Sequence, residues 1–591
     1  MPDKESIDVC EAAYKITVRW AECKMKVSDY IVDFLIQKKI QDVFGYPGGM
    51  VTHFMDSLEK RRKEIRAHIN YHEQGAAFAA CGYAQASGNM GVAYATSGPG
   101  ATNLITGICN AYFDSIPVMF ITGQVNTYES KENTGVRQRG FQETDIVSMV
   151  KGVTKLAVRL DKADEVVYNL EKAWHTAMEG RRGPVLLDIP MNIQRADIVL
   201  KEQRHFIPDN DTGVMTEAGI SRLKALLKDS KRPCIVAGAG VKEENTLWLF
   251  REMLKEYAIP VVTSMPAVGI LEKEHELNYG FVGAYGGRCA NFVVAKSDLV
   301  IAIGTRLDIR QTGAVKENFA PDAKLVRIDI DKEELKVPVK KDEVIIQAAA
   351  SMVLEKLQKN QERLEWKEWL EVCGRIRKEL ADVDVQKVNC IVGRISEKLG
   401  EDVSVTTDVG QNQIWVAQSF KNKCGQKMLF SAGHGAMGYS LPAAIGAYYA
   451  TGKPVICFNG DGGIQMNIQE LQFVVRENLP VKIFCFNNKA LGMIRHFQEM
   501  YFDSSYVQTT ESSGYTVPSF ERLAAAYGIP YMLLSEEKEL TEDMFGLSGP
   551  QFIEILLDEK TYVQPKLEYG KPNQDQEPLL NRALYEKIMS W

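Results

Sequence analysis

The chain has 591 residues, of which 45% are hydrophobic and 25% charged, and its formal net charge is −7 at pH 7. This length suggests about three or four domains, and the composition is that of an ordinary soluble globular protein. Acidic residues outnumber basic ones, and we see no basic stripe that could neutralise phosphates. We therefore expect no nucleic-acid partner. Eleven cysteines without a Cys-x-x-Cys pair argue against a zinc site or a redox motif.

The pattern of apolar residues predicts neither a signal peptide nor a membrane span. The first residues lack an apolar core, and no apolar run reaches about 18 residues. Scattered cysteines are typical of free thiols in a reducing compartment. We therefore expect a cytoplasmic protein with no membrane partner.

The first predicted element is a helix close to the start of the chain. Residues 1–24 look like an N-terminal extension, and Met25 is a second plausible beginning. Ser28 is predicted to cap a helix over Asp29–Lys38, where the apolar residues recur at helical spacing.

Strand-like and helix-like segments alternate along the rest of the chain. Three times, an aliphatic residue followed by Pro-Val precedes an apolar run, at Ile116, Ile259 and Leu479. The runs Val118–Thr122 and Lys482–Phe486 are predicted to be buried parallel strands, because proline is tolerated where a strand begins. The alternation predicts the α/β fold class, with parallel sheets flanked by helices.

Two linkers are predicted to divide the chain into three domains of similar size. One is the polar stretch Gln203–Gly213, and the other is the charged, helix-rich stretch Gln358–Gln386. The tail, 564–591, is polar and poor in apolar residues, which leaves a disordered end and a lid as alternatives. The predicted domains are 25–195, 205–357 and 380–563.

A strand–turn–helix–strand unit carries the strongest chemical signal. The strand Pro454–Phe458 is followed by glycines on both sides of Asp461, and the next strand ends at Asn488. Glycines let a backbone turn sharply and approach an anion. Asp461 and Asn488 would supply the oxygen ligands that magnesium takes, often together with diphosphate oxygens.

Several motifs, in this order, resemble those of acetolactate synthases, which use thiamine diphosphate. The motifs are GYPGGM (45–50), YHEQGAAFAACGYA (71–84), TSGPGATNLITGICNAYFDSIPV (96–118), GFQETDIV (140–147), GPVLLDIP (183–190), DVGQNQIW (408–415), GHGAMGYSLPAAIGA (433–447) and LGMIRHFQ (491–498). The match covers roughly residues 25–560. It implies a pyrimidine-binding first domain, a Rossmann-like central domain and a diphosphate-binding third domain. It also implies a homodimer or tetramer with the active site between subunits, and it leaves a regulatory subunit open.

By this resemblance, Glu73 is the catalytic residue that exchanges a proton with the cofactor. It precedes the small apolar face Gly75–Ala80, where a buried carboxyl group can hold and share a proton. The resemblance implies that it bonds the pyrimidine N1′ and promotes loss of the C2 proton. Met437, between Gly435 and Gly438, resembles the residue that bends the cofactor. A solvated glutamate and an ordinary core methionine are the plain alternatives.

The resemblance also assigns residues to the cofactor, the metal and the substrate. Thiamine diphosphate would contact Pro99, Asn103, Val409, Gly410, Gln411, Asn412, Gly435, Met437, Gly460, Asp461, Gly462, Gly463, Asn488, Leu491, Gly492 and Met493. Magnesium (Mg2+) would be held by Asp461, Asn488 and the carbonyl of Ala490. The substrate, a small 2-oxo acid, would be approached by Gln124, Phe141 and Lys155. Lys155 could attract its carboxylate, although an isolated lysine is usually a surface residue.

Acetolactate synthases of the biosynthetic type carry FAD that does no redox work, and the central domain resembles their FAD-binding pattern. Two positions depart from it, since Tyr285 replaces a histidine and Ala348-Ala349 replace a Gly-Asp pair. A vestigial central domain without FAD therefore stays open. The residues that would hold FAD are Gly238, Gly240, Gly304, Arg306, Asp329 and Ile330.

Three hypotheses follow for the activity. The first is an acetolactate synthase that joins two pyruvates. The second keeps the decarboxylation but uses a keto sugar or an aldehyde as acceptor, or none. The third is a non-catalytic relative, which retention of Glu73, Asp461 and Asn488 disfavours. Phe78 and Phe497 replace a histidine and a tryptophan near the family's active-site channel, so we expect little preference for 2-oxobutyrate over pyruvate.

Overall fold

A computed structural model of the chain describes residues 24–208, 217–358, 364–546 and 548–591. The chain forms two compact units, 1–210 with 445–452, and 211–444 with 453–591. The predicted extension lies outside the described residues except for Lys24. No helix in the described ranges is long and apolar enough to cross a membrane.

The first unit is built on a six-stranded sheet in which every neighbouring pair is parallel, as predicted. The eight strands of the described part of this unit are β1 (Lys24–Lys26), β2 (Asp42–Gly45), β3 (Arg66–Ile69), β4 (Gly91–Ala95), β5 (Val118–Gln124), β6 (Leu156–Arg159), β7 (Val185–Pro190) and β8 (Asp197–Val199). The order across the sheet is β3-β2-β4-β5-β7-β6, and β1 pairs with β8 in a separate antiparallel ribbon.

Helices cover this sheet. They are α1 (Val27–Gln37), α2 (Thr52–Lys60), α3 (Glu73–Ser87), α4 (Pro99–Asn103), α5 (Ile105–Phe113), α6 (Ile146–Val150), α7 (Val166–Met178) and α8 (Met191–Gln194). The prediction that Ser28 caps the first helix was wrong. The helix begins at Val27, two residues before the predicted start, and the Ser28 hydroxyl accepts a hydrogen bond from Ser57 at 2.8 Å.

Small residues set how closely α3 packs. A Cβ on Gly91 of β4 would lie 2.1 Å from the Ala80 carbonyl oxygen, and one on Gly107 of α5 would lie 2.2 Å from the Ala77 Cβ. Either methyl group would displace α3. The small apolar face after Glu73 therefore packs α3 tightly against its neighbours, and Glu73 stands at its first turn.

The second unit contains two more parallel sheets, and the first belongs to the central domain. The central strands are β9 (Pro233–Ala237), β10 (Val261–Thr263), β11 (Asn278–Phe281), β12 (Leu299–Ile303), β13 (Lys324–Asp329) and β14 (Val344–Gln347). Their order is β11-β10-β9-β12-β13-β14. This is the doubly wound dinucleotide-binding order, whose switch point lies between β9 and β12. The central-domain helices are α9 (Glu217–Asp229), α10 (Glu244–Glu256), α11 (Arg288–Lys296), α12 (Ile309–Thr312), α13 (Lys332–Leu335), α14 (Ala350–Gln358) and α15 (Lys367–Glu379).

The last sheet repeats the topology of the first. Its strands are β15 (Ser404–Thr407), β16 (Lys427–Leu429), β17 (Val455–Gly460), β18 (Val481–Asn487), β19 (Tyr531–Leu534) and β20 (Gln551–Leu556), in the order β16-β15-β17-β18-β20-β19. Its switch point, between β15 and β17, is where open α/β sheets bind ligands. The helices are α16 (Lys387–Lys398), α17 (Gln411–Ser419), α18 (Ser440–Thr451), α19 (Asp461–Met466), α20 (Leu471–Arg476), α21 (Gly492–Tyr501), α22 (Phe520–Tyr527) and α23 (Arg582–Ser590).

The stretch predicted as the second linker is part of the central domain. Trp366, Trp369 and Cys373 belong to the core of the central sheet. The Trp369 indole N–H donates to the Pro233 carbonyl at 2.9 Å, at the start of β9. The linker prediction was wrong for these residues because many positions of α15 are charged, which suggested a solvated segment, while its apolar face is narrow. The first predicted linker lies partly outside the described residues, which omit 209–216.

The tail is folded onto the central domain, so the disordered alternative was wrong. Leu580 and Ile588 share a buried cluster with Phe292 and Ile376. Arg288 donates to the main-chain carbonyls of Gln576 and Pro578 and pairs with Asp384. Because the polar tail residues bond to backbone groups rather than to solvent, their composition did not reveal this packing.

Candidate active site

Three loops at the carboxyl ends of neighbouring strands form a polar cluster in the second unit. They follow β15, β17 and β18, and they bring Asp408, Asp461 and Asn488 to one edge of the sheet. All three side chains are buried. The predicted magnesium ligands therefore lie at the carboxyl edge of the sheet, next to the switch point where parallel sheets bind ligands.

Asp461 is held by donors on two sides. Its Oδ2 accepts from the main-chain N–H of Lys489 at 2.8 Å, and its Oδ1 accepts from the Tyr515 hydroxyl at 2.8 Å. Burial raises the pKa of Asp461 to about 6, although these hydrogen bonds oppose the shift. A divalent cation would offset the cost of burying this charge.

The other two predicted metal ligands lie in the loop after β18. The Asn488 amide donates to Gln411 Oε1 at 3.2 Å, which leaves its own oxygen for another partner. The carbonyl of Ala490 accepts from Gly492 at 2.9 Å. No group of three or more His, Cys, Asp or Glu side chains within the described ranges could hold a metal. The predicted ligand set instead consists of one carboxylate, one amide and one carbonyl, which are oxygen donors of the kind that Mg2+ takes together with phosphate oxygens.

Glycines make a cradle beside these ligands. A Cβ on Gly492 would lie 1.7 Å from Gln411 Oε1, and one on Gly460 would lie 3.4 Å from the Asn412 amide nitrogen. The buried Asn412 Oδ1 has no hydrogen-bond partner in the described chain. Gly410, which precedes α17, has φ +142°, which favours glycine. Close backbone approach and an unsatisfied amide both fit an anionic ligand such as diphosphate.

Met437 lies beside the same cradle. A Cβ on Gly462 would lie 3.3 Å from Met437 Cε and 3.0 Å from Leu491 Cδ2. The turn that carries Met437 has positive φ at Gly435 (+68°) and Gly438 (+83°), so both positions require glycine.

Asp408 organises this turn, and sequence reasoning missed it. Its Oδ1 accepts from Gly438 N–H and its Oδ2 from Ser440 N–H, both at 3.0 Å. A Cβ on Gly463 would lie 2.4 Å from Asp408 Oδ1. Burial raises the pKa of Asp408 to about 6. Its place directly before Val409, in the DVGQ motif, was the available signal.

The remaining predicted diphosphate contacts lie around the cluster. A Cβ on Gly435 would be 3.9 Å from Val409 Cγ1, which places these two residues together. Leu491 precedes α21, and its N–H donates to the Thr509 carbonyl at 3.0 Å. Met493, in the first turn of α21, is half-buried against the core of the last sheet.

Glu73 lies at the carboxyl edge of the sheet in the first unit. It begins α3 directly after the N-cap His72, and it is buried. Its Oε2 accepts from the Asn103 amide at 2.9 Å, and a Cβ on Gly100 would lie 3.2 Å from its Oε1. Asn103 thus fixes one carboxylate oxygen, and the missing side chain at Gly100 leaves room beside the other. Pro99, exposed at the start of α4, flanks this group.

Phe141 and Gln124 occupy different environments near that edge. Phe141 is 78% exposed on the loop after β5, and Gln142 next to it packs over Gly98, whose Cβ would lie 2.9 Å from the Gln142 Cβ. Gln124 is buried, and its amide donates to Asp188 and to the Thr144 carbonyl. Phe141 is available to a ligand, whereas Gln124 is engaged in holding the loop.

Lys155 lies at the opposite edge of this sheet. It directly precedes β6, which runs parallel to β7, so it stands at the amino end of the strand. Its ammonium donates to the Glu179 carbonyl at 2.7 Å. The structure does not bring Lys155 to the carboxyl edge where Glu73 stands.

Three segments of the chain match models of known protein families. Residues 25–149 match the N-terminal TPP binding domain of thiamine pyrophosphate enzymes, residues 220–357 match the central domain, and residues 408–555 match the C-terminal TPP binding domain. The acetolactate synthase isozyme 2 large subunit of Escherichia coli is 34% identical over 560 residues, which is 93% of this chain and 99% of that protein. The chain belongs to the acetolactate synthase family of thiamine pyrophosphate enzymes.

Other family members are similar to the chain over comparable lengths. The large subunit of Lactococcus lactis is 32% identical, over 92% of this chain and 94% of that protein. The probable large subunit of Methanocaldococcus jannaschii is 36% identical, over 90% and 92% respectively. The family and fold predicted from the sequence are confirmed.

The glycines of the family's FAD pattern are required here by contact between two loops. A Cβ on Gly238 would lie 2.0 Å from the Gly304 carbonyl oxygen, and one on Gly240 would lie 2.9 Å from the Gly304 Cα. These loops follow β9 and β12, at the switch point of the central sheet. The other residues of the pattern at this edge are partly exposed: Arg306, Asp329 and Ile330.

The positions that depart from the family pattern have separate surroundings. Phe78 is fully buried in α3. Phe497 is 47% exposed on α21 and packs against Tyr501 with ring centroids 4.7 Å apart. Tyr285 lies under the Arg310 guanidinium, 5.9 Å from the ring centroid. Ala348 is buried, and its N–H donates to the Asp329 carbonyl at 3.0 Å.

Proposed function

We propose that the protein decarboxylates pyruvate and joins the remaining two-carbon unit to a second pyruvate. Two pyruvate anions and one proton would give one 2-acetolactate anion and CO2. The cluster of Asp461, Asn488 and Ala490 beside the glycine cradle carries this proposal, because it fits magnesium diphosphate. Family membership and the carboxyl of Glu73, fixed by Asn103, support it.

Each group of the chain has a distinct task in this proposal. Bound thiamine diphosphate supplies the carbon nucleophile and the electron sink for decarboxylation. Asp461, Asn488 and the Ala490 carbonyl would hold Mg2+, which would neutralise charge on the diphosphate. Glu73 holds and returns a proton at its Oε1, while Asn103 orients the carboxyl. Met437 and Leu491 give an apolar wall beside the cradle.

The proposed binding of the metal by Asp461 can be tested directly. Asp461→Ala should lose acetolactate formation and bind thiamine diphosphate with Mg2+ far more weakly, because it removes the anionic ligand. Binding is followed by calorimetry and product by its conversion to acetoin in acid. Glu73→Gln is the matched variant, and it should keep cofactor binding while losing activity. Equal cofactor affinity in Asp461→Ala and the wild type would contradict the metal assignment.

We also propose FAD in the central domain. The glycine loops at the switch point between β9 and β12 fit a dinucleotide, and Arg306, Asp329 and Ile330 at the same edge would contact it. The flavin would have a structural role only. The purified protein should be yellow, and pyruvate should not bleach its flavin spectrum. A colourless, fully active protein that added FAD does not change would contradict this.

The choice of acceptor is expected to depend on Phe497. A phenyl ring offers less contact area than the family's indole, and one lost methylene contact is worth about 1–3 kcal/mol. With pyruvate and 2-oxobutyrate at equal concentration, we therefore propose that acetohydroxybutyrate does not exceed acetolactate by more than about tenfold. We place the enzyme in the cytoplasm, where its nine described cysteines, all free, would stay reduced.

A further inference from the structure

Two buried polar side chains lie side by side in the last sheet, next to the loop 488–490 that carries two of the predicted metal ligands. Asn487 is the last residue of β18, and Glu554 lies on the neighbouring strand β20, where it pairs in register with Cys485. Residues two apart on a strand face the same side, so Asn487 and Glu554 share one face of the sheet. They are 3% and 7% exposed, and a carboxylate buried in this way needs hydrogen-bond donors.

Glu554 has a donor on each carboxylate oxygen. Its Oε1 accepts from the Asn487 amide at 2.6 Å, and its Oε2 accepts from the Tyr531 hydroxyl at 2.7 Å. Burial and the hydrogen bond to Glu554 raise the pKa of Tyr531 above its ordinary value, so this hydroxyl keeps its proton. One oxygen thus contacts the edge strand β19, and the other contacts the end of β18.

The other side of the Asn487 amide group holds the loop 488–490. Asn487 Oδ1 accepts from the main-chain N–H of Lys489 at 3.0 Å. A main-chain N–H can only donate and a carboxylate can only accept, so the amide of Asn487 fits between them in one orientation. The same N–H also donates to Asp461 Oδ2 at 2.8 Å. Glu554 is therefore linked, through the Asn487 amide, to the N–H that holds Asp461.

Lys489 has a backbone conformation that needs this support. Its φ is +54°, in the left-handed region that residues other than glycine rarely adopt. Such a conformation persists where the surrounding contacts over-determine it. The two hydrogen bonds from the Lys489 N–H are contacts of that kind, and the predicted ligands Asn488 and Ala490 are its neighbours on either side.

We propose that Glu554 is a positioning residue for the metal, because it orients Asn487, which in turn fixes the loop 488–490 and Asp461 in the arrangement that binds Mg2+. This assignment rests on the metal site of the proposed function and extends it to a residue on β20. Since both oxygens of Glu554 already accept from donors, it acts on the metal through this chain of hydrogen bonds and is not itself a ligand.

The test measures Mg2+ binding by calorimetry, with thiamine diphosphate at a fixed excess and a protein-free titration subtracted. Glu554→Leu removes the acceptor from Asn487, so the Kd for Mg2+ should rise about 10- to 100-fold, the range for residues that orient metal ligands. Glu554→Gln should bind Mg2+ nearly as well as the wild type, because its oxygen can still accept from Asn487 while its NH2 group donates to the Tyr531 oxygen. An unchanged Kd in Glu554→Leu, or an equal loss in both variants, would overturn the proposal.

Tyr531→Phe is the matched control. It removes the other donor to the same carboxylate and leaves the hydrogen bond from Asn487 in place. Its Kd for Mg2+ should stay at the wild-type value, whatever its unfolding temperature. A loss of Mg2+ affinity in Tyr531→Phe equal to that in Glu554→Leu would show that Glu554 acts only through the stability of the sheet, which would overturn the proposal.

A double-mutant cycle with Asn487→Val tests the link between the two residues, and it does not depend on the folding of Glu554→Leu alone. Asn487→Val breaks the same chain of hydrogen bonds and should raise the Kd for Mg2+ by a similar factor. Adding Glu554→Leu should bring no further loss, because the chain is already interrupted and no Asn487 amide is left unpaired. Losses that multiply in the double variant would mean two independent effects and would overturn the proposal.

Activity gives an independent readout. In Glu554→Leu, raising Mg2+ about 10- to 100-fold above the wild-type requirement should restore acetolactate formation, because metal affinity is what the change impairs. Activity that stays low at saturating Mg2+ would overturn the proposal. If the wild type forms no acetolactate, the proposed function fails, whereas the Mg2+ affinities of the variants still decide the role of Glu554.

Discussion

Asp188 shows how burial changes a carboxyl group next to the catalytic edge. It lies on β7 with 1% exposure, and its oxygens accept from the Thr122 hydroxyl at 2.7 Å and the Gln124 amide at 2.9 Å. Burial raises the pKa of Asp188 to about 7, although both hydrogen bonds oppose the shift. Asp188 therefore fixes the amide of Gln124, which in turn holds the loop that carries Phe141.

This pKa predicts a pH dependence of stability. Because the folded pKa lies above the unfolded value, the folded state binds more protons between about pH 4 and 7. The contribution of Asp188 to the free energy of unfolding is thus present at low pH and lost as the pH rises through 7. This contribution amounts to at most about 4 kcal/mol. Asp188→Asn cannot titrate and should unfold with a flatter pH profile.

The measurement is the unfolding free energy of the cofactor-free protein from pH 4 to 8. Asp408 titrates in the same direction, with its pKa near 6, and it remains in both proteins. The exposed Asp164 serves as the control, and Asp164→Asn should keep the wild-type profile. Identical profiles for Asp188→Asn and the wild type would contradict the assigned pKa.

Residues inside a contiguous motif could be predicted from the sequence. Glu73 and Asp461 were predicted as site residues because each stands in a motif that resembles the family's, and their catalytic roles stay predictions. Tyr515 was missed because it reaches Asp461 from a segment without a motif. Lys155 was chosen by resemblance, and only the direction of β6 shows which edge it occupies.

At the level of elements, one carboxylate shapes the loop between β5 and α6. Glu143 is buried and accepts from the N–H groups of Lys131 (2.6 Å) and Arg139 (2.9 Å) and from the Ser130 hydroxyl (2.9 Å). Burial alone would raise the pKa of Glu143, yet these hydrogen bonds hold it below its ordinary value. Glu143 thus ties together both ends of the loop, in addition to the hold that Gln124 has on it, and that shape positions Phe141.

Glu143→Gln should therefore open the loop. The glutamine side chain has one acceptor oxygen where the carboxylate has two, and its NH2 group would face the donors that the second oxygen now accepts from. Each loop donor left unpaired costs about 1–3 kcal/mol of stability. Trypsin should cut after the exposed Arg137 faster than in the wild type. Glu132→Gln, exposed in the same loop, is the control and should be cut at the wild-type rate. Equal rates in all three proteins would contradict this role.

Strands could be predicted more reliably than helix ends and linkers. β5 and β18 were recognised because strands buried on both faces are apolar throughout. The start of α1 was misplaced because its N-cap, Lys26, makes no side-chain cap. The segment around Trp366 was taken for a linker because burial of two tryptophans depends on a distant sheet.

At the scale of the whole molecule, the first and last sheets share one topology. Each places its switch point between its first and third strands in chain order, and each carries some of the proposed catalytic groups. Glu73 belongs to one compact unit and Asp461 to the other. The α/β organisation followed from alternating segments, whereas the oligomeric state does not follow from the sequence of one chain.

The resemblance to acetolactate synthases implies a homodimer or tetramer with the active site between subunits, and for a dimer we propose a complementation test. Glu73→Gln and Asp461→Ala should each be inactive as pure dimers. After the two are mixed, unfolded and refolded together, a mixed dimer has one site with both changes and one intact site. Random pairing in equal amounts should restore about a quarter of the wild-type activity, since half of the dimers are mixed and each keeps one of its two sites. If both groups of a site came from the same chain, every site would contain one change, and the mixture would stay inactive.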